Sequence, residues 1–318
     1  MDPYTQFTIP EHTRRQYADA FQAAVQQENA KLANVSIVES RWTAKQYVAK
    51  QSDVMRWVVN NTRFGNTVAT EWTGGFRSGF MKNLEMEPKK FDRNDGKLLD
   101  DIALPTGDVL TNAMYALNRL KDDLFIEAAT ANSLGGAEPH ITPTTFPSGN
   151  IIPVNYVKPT VALGGTNRGL TVWKVLEART RFLKSDVDFD REEAVLAISP
   201  DMETQLMLDA EAAGNNSWAK MVLEWFKMRL TGNQESKLMG VFRVITTNRL
   251  TTDSDTGIET AVAFCKRAFL SSPMTGMESH IDILPTQRHA IQVTAYGNWG
   301  CFRALDNLVL QVPCDPAP

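Results

Sequence analysis

Apolar residues change their spacing several times along this chain, and each change predicts an element. Between residues 104 and 136, Leu110, Met114, Leu117, Leu120, Leu124, Phe125 and Ala128 recur at helical intervals, which predicts one amphipathic helix over about 108–132. Asp108 stands where it can cap the start, and Leu134-Gly135-Gly136 supplies a stop. At roughly 1.5 Å per residue such a helix is about 37 Å long, which suits a strut better than an enzyme helix.

Upstream, residues 10–33 place Tyr17, Phe21, Ala24, Val25 and Leu32 at helical spacing opposite a Gln/Glu/Arg-rich face. The stretches WTAKQYVAK, WVVNNTRF and NTVATEW are β-branched and aromatic, as strands prefer. TGGFRSGFMKNLEMEPKKFDRNDGK follows, rich in Gly, Lys and Arg, with Phe76, Phe80 and Phe91 spaced through it. It is too polar for a core and too aromatic for a linker, and predicts a long β-hairpin arm leaving the body.

Downstream, residues 136–168 are loop-rich, with five prolines at 139, 143, 147, 153 and 159. GLTVWKVLEARTRFLKSD predicts an amphipathic helix with a stripe through Val172, Leu176, Arg179 and Leu183. EAVLAISP predicts a short apolar strand. SPDMETQLMLDAEA opens a helix with a Ser cap, Pro at the first helical position and acidic residues in the first turn. NSWAKMVLEWFKMRLTG continues helically to a Gly stop, KLMGVFRVITTNRLT is a strand and turn, and the chain closes in strands. There Tyr296-Gly297-Asn298-Trp299-Gly300 is read as a turn, followed by Leu308, Leu310 and Val312 on one face and Val309 and Gln311 on the other. Helices and strands alternate loosely without a phosphate-binding signature, so the fold class is α+β and not doubly wound.

Composition narrows the function. The chain has 318 residues, 43% hydrophobic and 22% charged, near the globular average. A net charge of −4 lacks the basic excess of a protein built to grip nucleic acid, so contact with DNA is expected to be local and weak. No stretch approaches the length of a membrane span, and the N-terminus lacks a secretory pattern, which places synthesis in the cytoplasm.

Candidate chemistry is sparse. Cys265, Cys301 and Cys314 form no C-x-x-C pair, arguing against a disulfide scaffold and a zinc site, and they read as packing residues. The histidines, His12, His140, His280 and His289, are scattered without ligand spacing. His280 and Asp282 share a strand face but have no third partner. Neither a Walker loop nor a dinucleotide fingerprint nor a nucleophile elbow is present. The acidic runs DFDREEA and KLLDDIA read as solvated faces without a calcium-loop pattern. The expectation is no catalytic residue, no metal and no cofactor.

The order of these parts resembles the major capsid proteins of tailed bacteriophages, the Hong Kong 97-type fold. The resemblance is most specific in AVLAISPDMETQLMLD, GVFRVITTNRL, TAVAFCKRAFLSS and QVTAYGNWGCFRALDNLVLQVPCD. It implies an N-terminal arm over 1–34, a peripheral-domain strand region over 35–61 and an extended loop over 62–104. The spine helix and peripheral domain would take 105–168, the axial domain 169–282, and a peripheral strand with the closing axial strand 283–318. It further implies self-assembly into pentamers and hexamers forming an icosahedral head shell around double-stranded DNA. A separate scaffolding protein, a portal protein and a decoration protein are the implied partners, in a virion assembled in the host bacterial cytoplasm, with no membrane.

On this resemblance the hairpin lies across the next subunit. Trp72, Phe76, Phe80 and Phe91 would anchor it, and Arg77, Lys82, Lys89 and Lys90 would pair with acidic rims. Folding back onto its own domain is the alternative; Gly74, Gly75, Gly79 and the surrounding charges favour the interface. Leu110, Met114, Leu117, Leu120 and Leu124 would pack the spine helix onto the body. Some relatives weld subunits through Lys–Asn bonds, but no acceptor asparagine or catalytic acid stands out here, so that chemistry is not carried over. Two rival readings remain: an encapsulin-like compartment enclosing cargo enzymes, and a soluble α+β enzyme.

Overall fold

Ala194–Ile198, Glu259–Cys265 and Val309–Cys314 are apolar nearly throughout, a pattern that suits strands covered on both faces. They lie side by side in one sheet. A computed structural model describes residues 26–52, 55, 57, 59, 74–92, 106–157, 166–213, 217–232, 236–273 and 275–316, and of 106–108 and 275–277 the backbone alone.

Along the described chain come β1 (Ile37–Val38), β2 (Gln46–Ser52), β3 (Gly74–Phe80), β4 (Lys82–Glu85), β5 (Lys89–Phe91) and helix α1 (Thr106–Thr130). Next are β6 (Ser133–Gly135), β7 (Thr142–Thr144), α2 (Val172–Lys184), β8 (Ala194–Ile198), α3 (Pro200–Ala212) and α4 (Ser217–Leu230). The rest is strand: β9 (Lys237–Leu238), β10 (Phe242–Thr246), β11 (Thr251–Thr252), β12 (Glu259–Cys265), β13 (Phe269–Ser271), β14 (Thr275–Leu284), β15 (Ala290–Trp299), β16 (Cys301–Arg303) and β17 (Val309–Cys314).

The chain divides into two units. One takes Met1–Ala30, Asn83–Leu120 and Met274–Asn298; the other takes Lys31–Lys82, Lys121–Pro273 and Trp299–Pro318. Segments far apart in the sequence share a sheet: β5 near residue 90 pairs with β15 near residue 291, Phe91 opposite Ile291.

In the larger unit a six-stranded mixed sheet runs β11-β12-β8-β10-β9, with β17 on the other side of β12. Register sets which side chains share a face: Ala263 stands opposite Leu196 on β8 and Leu310 on β17. That face, with Ile198, Cys265, Val312 and Cys314, packs against α2, α3 and α4 through Phe182, Met202, Leu206, Val222 and Trp225. The opposite face presents Val195, Val262, Phe264 and Val309, all fully buried. There the Phe125 ring of α1 lies 5.1 Å from Phe264 and 4.5 Å from Phe269.

Helix α3 begins as its sequence predicts: Ser199 caps it, accepting from Met202 N at 3.3 Å, with Pro200 first in the helix and Asp201 and Glu203 in the first turn. Helix α2 departs from expectation. Its buried face is Val172, Val175, Ala178 and Phe182, while Leu176 and Arg179 are half-buried and Leu183 is exposed. The larger Phe182 takes the inward position beside Phe242, at a ring separation of 6.1 Å, and turns Leu183 outward.

Other expectations change too. Residues 10–25 of the predicted N-terminal helix lie outside the described residues, and residues 26–32 are not helical; only Ala33–Val35 makes a short 3-10 turn. Tyr296–Trp299 is not a turn but the end of β15, which pairs with β14 from Ala290 opposite Leu284 to Asn298 opposite Thr275. Leu308 lies in a 3-10 turn ahead of β17, and Val309 is as buried as Leu310 because the central sheet is covered on both faces.

In the smaller unit β15 is central, with β14 on one side and β4 and β5 on the other. Residues 26–28 run beside the first part of α1: Gln26 Nε2 donates to Asn112 Oδ1, Arg119 donates to Gln26 Oε1, and Asn118 Nδ2 donates to the Glu28 carbonyl at 2.7 Å.

Candidate assembly surface

The hairpin is real but lies earlier than the sequence suggests. Its arms are β2 and β3, registered from Gln46 opposite Phe80 to Ser52 opposite Gly74. Residues 53–73 join the arms, and β4 and β5, which lie within the 62–104 segment expected to form the extended loop, belong to the sheet of the smaller unit. The β-branched and aromatic residues of the first arm suggest a strand, but which strands pair is a long-range outcome.

Gly79 shows how closely the hairpin base is packed. A Cβ there would sit 2.2 Å from Phe302 Cδ1, inside a cluster built on Trp42, Phe302 and Ala304. Trp42 and Phe302 meet edge to face at 5.5 Å. We expect Gly79→Ala to destabilise the fold by about 1–3 kcal/mol through overpacking; an unfolding midpoint in urea equal to the parent's would contradict this.

The predicted interface residues are shared between the two units. Trp72 lies outside the described residues. Phe76 is half exposed on the hairpin and Phe80 is half-buried at its base. Arg77 points into its own chain, donating to Asp306 Oδ2 at 2.6 Å and Thr144 Oγ1 at 3.0 Å. Lys82 is half exposed and pairs with Glu127 of α1 at 2.7 Å. Lys89, Lys90 and Phe91 stand on β5 in the other unit, where Lys89 pairs with Glu87 at 2.9 Å. Exposed pairs of this kind are screened by solvent and contribute little to stability.

Helix α1 spans Thr106–Thr130, close to prediction, but Asp108 falls inside its first turn instead of at the cap. The expected stop is also displaced: Leu134 and Gly135 lie in β6, and Gly136 takes a left-handed φ of 88° in the turn that follows. The inward face is Ala113, Asp122, Phe125, Ile126 and Ala129. Of the expected stripe, Leu110, Leu117 and Leu124 are half-buried, and Met114 and Leu120 are exposed. The inward face thus combines two large apolar side chains, Phe125 and Ile126, with the small Ala113 and Ala129.

Two buried ionic groups hold the second half of this helix, and sequence reasoning missed both. Asp122 is fully buried and accepts from the backbone N–H groups of Lys31, Leu32 and Ala33 at 2.9, 2.9 and 3.0 Å. At the other end, α1 has no basic residue in its last turn. Arg303 supplies the missing donor from β16: its Nη1 reaches the carbonyls of Ala128, Ala129 and Ala131 at 3.0–3.1 Å and its Nε donates to Asp306 Oδ1 at 2.6 Å. Gln311 Nε2 adds bonds to Ala129 and Thr130 at 3.3 and 3.1 Å. A cation at a helix C-terminus also meets the negative end of its dipole. Asp306 thus joins the hairpin base, through Arg77, to the end of the long helix, through Arg303. A charged residue in the apolar run CFRAL was the available signal.

The polar chemistry is otherwise structural. Among the described residues no group of three or more His, Cys, Asp or Glu is placed to hold a metal ion. Burial pushes the Cys265 thiol up to about 12 and the Cys314 thiol up to about 11, away from the thiolate form that reacts. Lys174 is fully buried, donating to the carbonyls of Arg168 and Pro313 at 2.9 Å each, and fastens the end of β17 to α2. His280 faces the ring of Tyr296 at 6.0 Å and joins no acidic pair.

The sequence model of the family described as phage capsid protein matches residues 9–315. The chain belongs to that family. Solved structures agree on the fold. The capsid of Ralstonia phage GP4 superposes with a TM-score of 0.64 at 12% identity, covering 99% of each chain. The capsid structure of cyanophage P-SCSP1u gives 0.62 at 11% identity over 94% of this chain and 92% of that one. The capsid of the native GTA particle gives 0.62 at 12% identity over 94% of both. No curated protein matches the sequence. The capsid protein therefore has the Hong Kong 97-type fold that its order of elements resembles, and it is a structural component of the virion shell, not an enzyme.

Proposed function

We propose that this capsid protein associates into pentamers and hexamers that close into an icosahedral shell around double-stranded DNA. The observation that carries the reading is the capsid-family match over residues 9–315, into which the hairpin and the long helix fit as limb and strut. Identical subunits that close rings must each offer surface to a neighbour. Phe76 further along the hairpin, Phe80 at its base and Lys90 on β5 are offered as part of that surface, and the exposed side of α1 leaves Met114 for the same use. Arg77 is given a different role, bracing the hairpin from within.

A net charge of −4 suits a wall that must hold DNA without gluing itself to phosphates, since each neutralised phosphate adds salt-dependent affinity. Contacts with the genome are then weak and non-specific. A separate scaffolding protein, a portal and a decoration protein complete the proposed set of partners, with assembly in the host cytoplasm.

The test is microscopy of the purified protein, alone and co-expressed with its scaffolding partner. We expect hollow closed particles or free rings of five and six; a small oligomer under both conditions would refute the shell.

A further inference from the structure

The larger unit contains a cavity of about 150 Å³ beside the end of α1. Phe80, Leu124, Leu134 and Phe302 give it apolar walls, while Ser133 of β6 and Arg303 of β16 bring polar groups to its lining. Lys82 and Glu127 also line it and pair with each other at 2.7 Å.

Two polar atoms of this lining are unsatisfied. Ser133 Oγ and Arg303 Nη2 are buried and make no hydrogen bond among the described residues. Arg303 uses its other two nitrogens on the carbonyls at the end of α1 and on Asp306. The Phe146 ring lies against the guanidinium, 4.6 Å from its carbon, and offers no in-plane acceptor. A buried donor on a charged group is costly to leave unpaired. Charge points the same way. Lys82 and Glu127 cancel, but Arg77 and Arg303 share the single carboxylate of Asp306. That group keeps one positive charge in excess, offset only in part by the negative end of α1.

We propose that the cavity binds a monocarboxylate on a short apolar stem. Its two oxygens accept from Arg303 Nη2 and Ser133 Oγ, and its stem lies against Leu124 and Phe302. Two donors match the two oxygens of a carboxylate. One excess positive charge suits a monoanion, and the apolar walls disfavour a phosphate, whose second charge would be desolvated without a partner. The carboxylate is carried either by a free aliphatic acid or by an acidic side chain of another polypeptide, and both present the same group. The site belongs to the single subunit and does not depend on the shell reading.

The test is thermal unfolding of the full-length unassembled protein in sodium butyrate and in sodium chloride at equal ionic strength, with affinity measured by calorimetric titration. Butyrate is expected to raise the unfolding temperature where chloride does not, because a ligand of the native state stabilises it by mass action. Ser133→Ala, which removes one donor, is expected to weaken butyrate binding about tenfold. Ala128→Met, which fills the cavity from α1, is expected to abolish it. A glutamate blocked at both its amino and α-carboxyl groups is the second probe. Tighter binding than butyrate identifies a side chain of another polypeptide as the natural occupant, and weaker binding a free acid. No difference between butyrate and chloride, or a butyrate affinity unchanged in both variants, overturns the site.

Discussion

Arg303→Leu is expected to cost about 3–5 kcal/mol of folding stability. Three carbonyls at the end of α1 lose a donor, and Asp306 keeps only Arg77. A buried acceptor stripped of its partner costs about 1–3 kcal/mol, and three of them share one guanidinium here. Arg303→Lys should recover only part of the loss. An ammonium cannot span Asp306 and three carbonyls at once, whereas the planar fork does. Urea unfolding of the unassembled protein is the measurement, because assembly would add a concentration-dependent term. The deficit should persist in high salt, since the Arg303 side chain has no exposure to solvent and is poorly screened. A loss below about 1 kcal/mol would show that Gln311 and Arg77 suffice without it.

The second large effect is expected at Asp122. Replacing it by Ala leaves three N–H groups without their acceptor in a buried site, and we expect a loss of about 3 kcal/mol or more. Asp122→Asn should be nearly as costly. Its amide has one oxygen to accept with, and its NH₂ would face donors. The readout is twofold: a lower urea midpoint, and faster tryptic cleavage after Lys31, whose backbone the carboxylate holds. Unchanged proteolysis in both variants would show that residues 31–33 are held by something else.

Both residues illustrate where a linear reading stops. The spacing of Leu110 through Ala128 marks a long helix whether or not its neighbours are known, because a repeat of three to four residues is a local property. It does not say which side of that helix is inward. Phe125 faces Phe264 and Phe269 because those strands happen to approach there, and Leu120 is left outside. The same limit explains the hairpin. Gly, Lys and Phe from 74 to 91 suggested one limb, yet β3 pairs with β2 while β5 pairs with β15. No composition rule distinguishes those pairings, and the predicted cluster of Phe76, Arg77, Lys89 and Lys90 divides between two units.

Local pattern alone was enough for the order of most helices and strands, the strut near the middle of the chain and the Ser-Pro start of α3. It was also enough for the likeness to tailed-phage capsid proteins. Folding decided the rest: that Arg77 turns inward, and that Arg303 closes a helix some 170 residues before it. The reason is distance along the chain. Turn, cap and periodicity are set by neighbours a few residues away, whereas pairing register and buried charge depend on segments that meet only once the backbone has closed on itself.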